Sequence, residues 1–304
     1  MKVLVAGATG TLGGPLVRRL NEHGHEVTGI ARSAEGAQRL ASLNASAVTA
    51  DVMDAESLRR AVDGRHFDAV IHELTALKRA PARHADMAAT NALRTTGSAH
   101  LLDAAQRVGA RRFITQSIVF GYGYRDHGAQ ELTEESPFGV PQGDVFDRHV
   151  AAMVSAEQQA MSTRGIEGIA LRYGLFYGAD LDKMERMLRR RMLPLVRTGG
   201  EIPFVHHEDA AAATVAALER GSAGRVYNVV DDTPARFADL IAAIQRRRDL
   251  PAPLVIPPWV LGLAAPYAKA LFGVISMRVS NDRAVSELGW SPAYPSVADG
   301  VAAG

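Results

Sequence analysis

Apolar positions along the chain alternate between two rhythms. Val3, Leu4, Val5 and Ala6 make a short unbroken run, and Leu16, Val17 and Leu20 follow at helical spacing. Further runs at 25–31, 45–50, 68–72, 112–117 and 167–172 predict strands. Helical spacing predicts helices over 55–62, 86–108 and 147–163. The run at 68–72 is apolar enough to be covered on both faces, as parallel strands are. Strands alternating with helices predict an α/β fold: an open, doubly wound parallel sheet with helices on both sides. Farther on, the pattern predicts helices at 181–191, 208–220 and 235–247, and β segments at 201–205 and 225–230. Residues 121–147, rich in glycine, proline and charge, read as a long loop of the kind that carries function. The most apolar stretch, 254–275, contains Pro257, Pro258, Pro266 and Lys269. These fit poorly in a membrane-spanning helix, so a buried or lid-like helix is expected.

The first strand runs directly into Gly7-Ala8-Thr9-Gly10-Thr11-Leu12-Gly13 and then a helix. Unpaired N–H groups and the positive end of the helix dipole make such a junction suit a diphosphate. Gly7 permits the tight turn, Gly10 lets backbone approach the phosphates, and Gly13 lets the helix lie against the strand. The strand–glycine turn–helix order predicts a bound dinucleotide. The second strand ends in Arg32 rather than an acid. A guanidinium pairs with a ribose 2′-phosphate where a carboxylate would pair with the 2′-hydroxyl, so NADP(H) is expected over NAD(H).

Composition adds exclusions. The 304 residues carry a net charge of +1, which implies no nucleic-acid or membrane partner. There is no cysteine, so disulfides and thiolate zinc sites are excluded, and the histidines show no metal-ligand spacing. A cytoplasmic protein without a signal peptide is the expectation.

The motifs together resemble the extended short-chain dehydrogenase/reductases of the NAD-dependent epimerase/dehydratase type. The glycine turn is similar to that family's nucleotide loop. Leu171-Arg172-Tyr173-Gly174-Leu175-Phe176-Tyr177-Gly178 resembles its nicotinamide-side loop. Val205-His206-His207-Glu208-Asp209 and Leu288-Gly289-Trp290-Ser291-Pro292 resemble later signatures. The resemblance implies a Rossmann-type core over 1–178, to which strand 225–230 returns, and a mainly substrate-binding region over 179–304. It implies cofactor contacts from Gly7, Thr9, Gly10, Thr11, Leu12, Gly13, Arg32, Asp51, Val52, Leu74, Thr75, Asn91, Gln116, Met153, Tyr173, Gly174 and Phe176. It also implies a homodimer through helices near 86–108 and 147–163.

One departure stands out. Family catalysis rests on Tyr-x-x-x-Lys, the lysine lying four residues before a helix glutamate. Counting back from Glu157 places Met153 at the lysine and His149 at the tyrosine. His149 titrates near neutrality and is a candidate proton carrier. Ser117 is a candidate donor to a substrate oxygen. Tyr173 is an alternative proton carrier, and Tyr122, Tyr124 and His206 are candidates for the substrate pocket. The expected reaction is NADP(H)-dependent hydride transfer to or from a carbonyl or carbinol carbon of a small, largely apolar molecule. The alternatives are a redox-neutral epimerase or dehydratase and a non-catalytic NADP(H) sensor of the same fold.

Overall fold

The expected strands assemble into one parallel sheet. The computed structural model describes residues 1–77, 80–196 and 199–304. Its first half alternates β1 (Lys2–Ala6), α1 (Gly13–Glu22), β2 (Glu26–Ala31), α2 (Ala34–Ala41), β3 (Ser46–Thr49), α3 (Ala55–Val62) and β4 (Ala69–His72). Then come α4 (Ala88–Ala92), α5 (Ser98–Arg107), β5 (Arg112–Ile118), β6 (Asp126–Leu132), α6 (Asp147–Ser162) and β7 (Glu167–Tyr173). The remainder comprises β8 (Leu175–Tyr177), α7 (Leu181–Arg189), β9 (Phe204–His206), α8 (His207–Arg220), β10 (Val226–Val229) and α9 (Phe237–Arg248). It ends with α10 (Pro258–Ala264), α11 (Pro266–Gly273), β11 (Ser276–Val279), α12 (Asp282–Leu288) and α13 (Val297–Ala303).

The sheet order is β10-β7-β5-β4-β1-β2-β3. Winding reverses between β1 and β4, and the crevice at their C-terminal ends is where open α/β sheets hold ligands. The glycine turn leaves β1 at that point. Gly7 has φ +100°, and a Cβ there would lie 2.6 Å from the Glu73 carbonyl oxygen, just past β4. Glycine is therefore required twice over, by conformation and by space. A Cβ on Gly13 would lie 2.3 Å from the Gly7 carbonyl oxygen, so α1 packs as close to the turn as glycine allows.

One face of the sheet buries Val3 and Val5 with Leu16, Val17 and Leu20 of α1 and Ala210, Ala213 and Ala217 of α8. The other buries Leu4, Val70 and Phe113 with Leu58, Leu101 and Leu102. A third cluster, with Val119, Tyr124, Leu132, Tyr267 and Met277, lies beyond the strand ends. Strand β10 joins the sheet beside β7, and α8 covers its core, so residues past 178 also build the main layers.

Three local expectations are corrected. The stretch 121–147 is not all loop, because β6 pairs in parallel with β11. The helix over 86–108 is interrupted by a π-helical turn at Leu93–Gly97. The apolar stretch 254–275 is not one buried helix. Pro258 and Pro266 each start a short one, where their missing N–H costs nothing. Tyr267 and Leu271 are buried, but Trp259 and Leu263 are 65% and 79% exposed. Among the described residues no helix is long and apolar enough to cross a membrane.

Candidate active site

The turn after β1 is built to take an anion. Helix α1 starts after Leu12 with no side-chain cap and no acid in its first turn, so its positive dipole end is uncompensated. Thr9 is half-buried, Gly10 and Thr11 are exposed at the tip, and Leu12 is buried beneath them. Arg32 follows β2, exposed and in no ion pair among the described residues, while Ser33 caps α2 through the Gly36 N–H at 3.2 Å. Asp51 accepts the Met53 N–H at 2.9 Å, and the buried Val52 accepts a bond from His100 Nδ1 at 2.8 Å through its carbonyl. Gln116 ties β5 to the segment after β4 by donating to the Leu74 carbonyl, with Thr75 exposed beside it. These residues fit a dinucleotide laid across the strand ends.

Ser117 lies near the end of β5. Its register partner on β7 is Arg172, whose guanidinium pairs with Glu157 of α6 at 2.9 and 2.7 Å. Neighbouring parallel strands put register partners on one face, so Ser117 faces α6. Its hydroxyl is fully buried and has no hydrogen-bond partner. Buried polar groups are nearly always paired, so this hydroxyl is an exception.

His149 projects from the first turns of α6 and is wholly buried. Its Nδ1 lies 2.9 Å from Asn91 Nδ2 and its Nε2 lies 3.1 Å from His84 Nδ1. With Asn91 donating, the His149 Nε2–H points to His84, which is half-buried. Burial, then the neighbouring Arg148, His84 and Arg94, push the His149 pKa down to about 4. It is a neutral imidazole in a chain, which corrects its reading as a lone titrating acid. Met153, one turn on, is buried in the apolar cluster and supplies no cation.

Tyr173 is corrected as a proton carrier. It adjoins Arg172 and so faces the opposite side, where its hydroxyl lies 3.0 Å from Glu73 Oε1 and 2.7 Å from Thr214 of α8. Burial raises its pKa well above 10. Glu73 is buried too, which lifts its carboxyl from an ordinary 4.5 to about 8. A raised carboxyl stabilises the fold fully below pH 4.5 and loses that contribution as pH rises toward 8. Glu73→Gln should therefore gain stability over wild type progressively from pH 4.5 to 8, with a constant difference below that range. Urea unfolding across this window checks it; parallel pH profiles for the two proteins would refute it.

Tyr122 and His206 are corrected as pocket residues. The Tyr122 hydroxyl donates to Asn228 at 2.9 Å and accepts from Arg172 at 3.0 Å, bracing β7 and β10. The His206 ring accepts the Glu208 N–H as the cap of α8 and packs 4.3 Å from the Tyr294 ring. Gly174 lets the chain cross Pro203 and Phe204, and Phe176 stacks on His207. Tyr124 lies in the aromatic cluster around His149. Its hydroxyl meets that of Tyr267 at 3.0 Å and its ring stacks 4.2 Å from Phe146, which touches His84 and His149.

His84 and Arg94 were not singled out from the sequence, whereas Phe146 stood out as an aromatic of the 121–147 loop and Tyr267 as part of the apolar 254–275 stretch. No clear sequence signal marked Arg94, since the helical stripe it shares with Met87, Asn91, Ser98, Leu101 and Ala105 is half polar.

A profile of the NAD dependent epimerase/dehydratase family matches residues 3–230. The chain is 35% identical over 314 residues to a 3-diazoavenalumate denitrifying reductase of a Streptomyces species, covering 99% of each. Its fold resembles the UDP-glucose 4-epimerase of Thermotoga maritima solved with UDP-glucose (TM-score 0.78, 22% identity, 99% and 96% of the two chains). It also resembles the Thermus thermophilus UDP-glucose 4-epimerase solved with NAD (TM-score 0.78, 21% identity, 99% and 97%).

Proposed function

The chain belongs to the NAD-dependent epimerase/dehydratase family, an NAD(P)-dependent oxidoreductase or epimerase/dehydratase by kind, and on that premise we propose an NADP(H)-dependent reductase. Its substrate is a small, largely apolar molecule. The reduced nicotinamide, when bound, supplies a hydride to an electrophilic centre such as a carbonyl carbon.

The observation that carries the reading is the orphaned Ser117 hydroxyl on the α6 face, beside the strand ends. It donates to the substrate oxygen as negative charge develops there, and a fixed donor in a dry site is worth more than one in water. The product oxygen needs one proton. No tyrosine in the chain is followed four residues later by lysine, so the usual dyad does not supply it. The His84–His149 pair offers the route: half-buried His84 takes a proton from solvent and gives it to the product oxygen, while Asn91, an amide, only orients the His149 ring. The aromatic rings of Tyr124, Phe146 and Tyr267 suit an apolar substrate. The reductase relative, matched over its whole length, favours net reduction over a redox-neutral cycle.

Two measurements test this reading. Purified protein should consume NADPH in step with the reduction of small carbonyl or diazo compounds, followed at the nicotinamide absorbance. Turnover of a substrate with no net change in NADPH would replace the reductase by an epimerase or dehydratase. Calorimetry should show NADPH bound more tightly than NADH, and Arg32→Ala should weaken NADPH by about tenfold or more while leaving NADH unchanged, the loss expected for charge-assisted bonds to phosphate. Equal affinity of wild type for both cofactors would refute the preference.

A further inference from the structure

We propose that Arg94 receives the carboxylate of an aromatic or conjugated acid, and so sets the substrate class of this site. The inference rests on the reductase reading and deepens it.

Arg94 lies on the π-helical turn Leu93–Gly97 and is 4% exposed. Its Nε and Nη1 are buried without hydrogen-bond partners. Among the described residues no carboxylate forms an ion pair with it. A guanidinium cannot shed its charge by losing a proton, and burial without a counter-charge is strongly unfavourable. Such a group persists where a ligand completes it.

The surrounding groups do not. The titratable side chains within its field are His72, Tyr124, His149 and Tyr267. Burial holds both histidines near pKa 4 and raises both tyrosines, so all four are neutral at neutral pH. The site thus has a net positive charge and asks for one negative one.

The neighbours also describe the rest of the ligand. Tyr124 and Phe146 stack at 4.2 Å, His84 meets Phe146 at 4.7 Å, and Tyr267 closes on His149 at 5.7 Å. These rings offer flat apolar faces and edges, which suit a planar body. Tyr124 and Tyr267 come from the segment after β5 and from α11, not from the glycine turn where α1 is open to a diphosphate. The geometry therefore favours a substrate anion over a cofactor phosphate. The π turn itself is a second sign, since such turns gather at functional sites and re-aim the side chains they carry.

The test uses thermal unfolding of the full chain with saturating NADPH, and benzoate and benzamide as matched probes at equal millimolar concentration. Wild type should be stabilised by benzoate and not by benzamide. Arg94→Met should respond to neither, should melt without ligand at or above the wild-type temperature because a stranded charge has gone, and should bind NADPH within about twofold of wild type. Should Arg94→Met fail to fold, Arg94→Lys reports alone, with a reduced benzoate response and unchanged NADPH affinity supporting the proposal. An undiminished benzoate response in either variant overturns it, as does a wild type that treats acid and amide alike. A tenfold or greater loss of NADPH affinity in a variant, on the order of 1.4 kcal/mol, would reassign the cation to the cofactor. Failure of wild type to bind NADPH at all would sink the reductase reading, and this proposal with it.

Discussion

Ser117→Ala is expected to lower kcat by about 10²-fold, with NADPH affinity unchanged and stability equal to or slightly above wild type. The size is that of removing one fixed donor to a developing oxyanion. The stability half of the prediction comes from the same observation. The wild-type hydroxyl is buried with no partner, so its removal breaks no bond and relieves a desolvation cost that the small cavity left behind largely offsets. A catalytic donor and a structural serine thus give opposite patterns. Loss of stability with full activity would mean that Ser117 is structural. Ser117→Thr keeps the hydroxyl and should recover part of the rate. The variant series is best read as kcat against KM, since a group used only in the transition state moves kcat.

Glu157→Gln is expected to destabilise the fold by about 3–5 kcal/mol, the cost of stranding a buried charge. Arg172 and Glu157 share two hydrogen bonds at 2.9 and 2.7 Å, and their side chains are 6% and 9% exposed. The Arg172 guanidinium also lies 3.5 Å from the Phe138 ring centroid and donates to Tyr122. Without the carboxylate this cation keeps its burial and loses its counter-charge. Arg172→Met in the wild-type background should cost a similar amount. The double variant Glu157→Gln/Arg172→Met should cost clearly less than the sum, because both charges leave together. Urea unfolding of the four proteins measures the cycle, and additive losses would show that the pair is not coupled. The pair clamps α6 to β7, so it holds His149 and the register partner of Ser117 in place.

Much of the cofactor side was legible from short-range pattern. Gly7, Gly10 and Gly13 are spaced by the needs of one turn, and all three needs are local. Arg32 was readable because it ends a strand whose place follows from the βαβ unit. The strand that carries Ser117 and the helix that carries His149 were readable from the pattern of apolar positions. The chemistry of His149 was not. Its ordinary pKa suggests a titrating acid, and only the burial of the ring between Asn91 and His84 makes it a neutral link.

Tyr173 shows how a one-residue difference decides a role. It sits in a motif beside the nicotinamide loop, yet side chains alternate along a strand, and Arg172 already occupies the α6 face. Tyr173 must then point to α8, where Glu73 and Thr214 hold it. The period of two was in the sequence; which face met which helix was not.

By itself the sequence determined the chain order of the main-sheet strands, the glycine turn with its uncapped helix start, and the cation after β2. Each depends on residues a few positions apart, whose spacing alone sets the local geometry. Tertiary structure decided the rest. Strands β6 and β11 pair across more than a hundred intervening residues, and neither carries a local signal of its partner. Likewise His84 and Arg94, Tyr124, His149 and Tyr267 come from four separate stretches. Burial in a shared dry space, and not their spacing, sets the charge of each and leaves Arg94 as an unmatched cation.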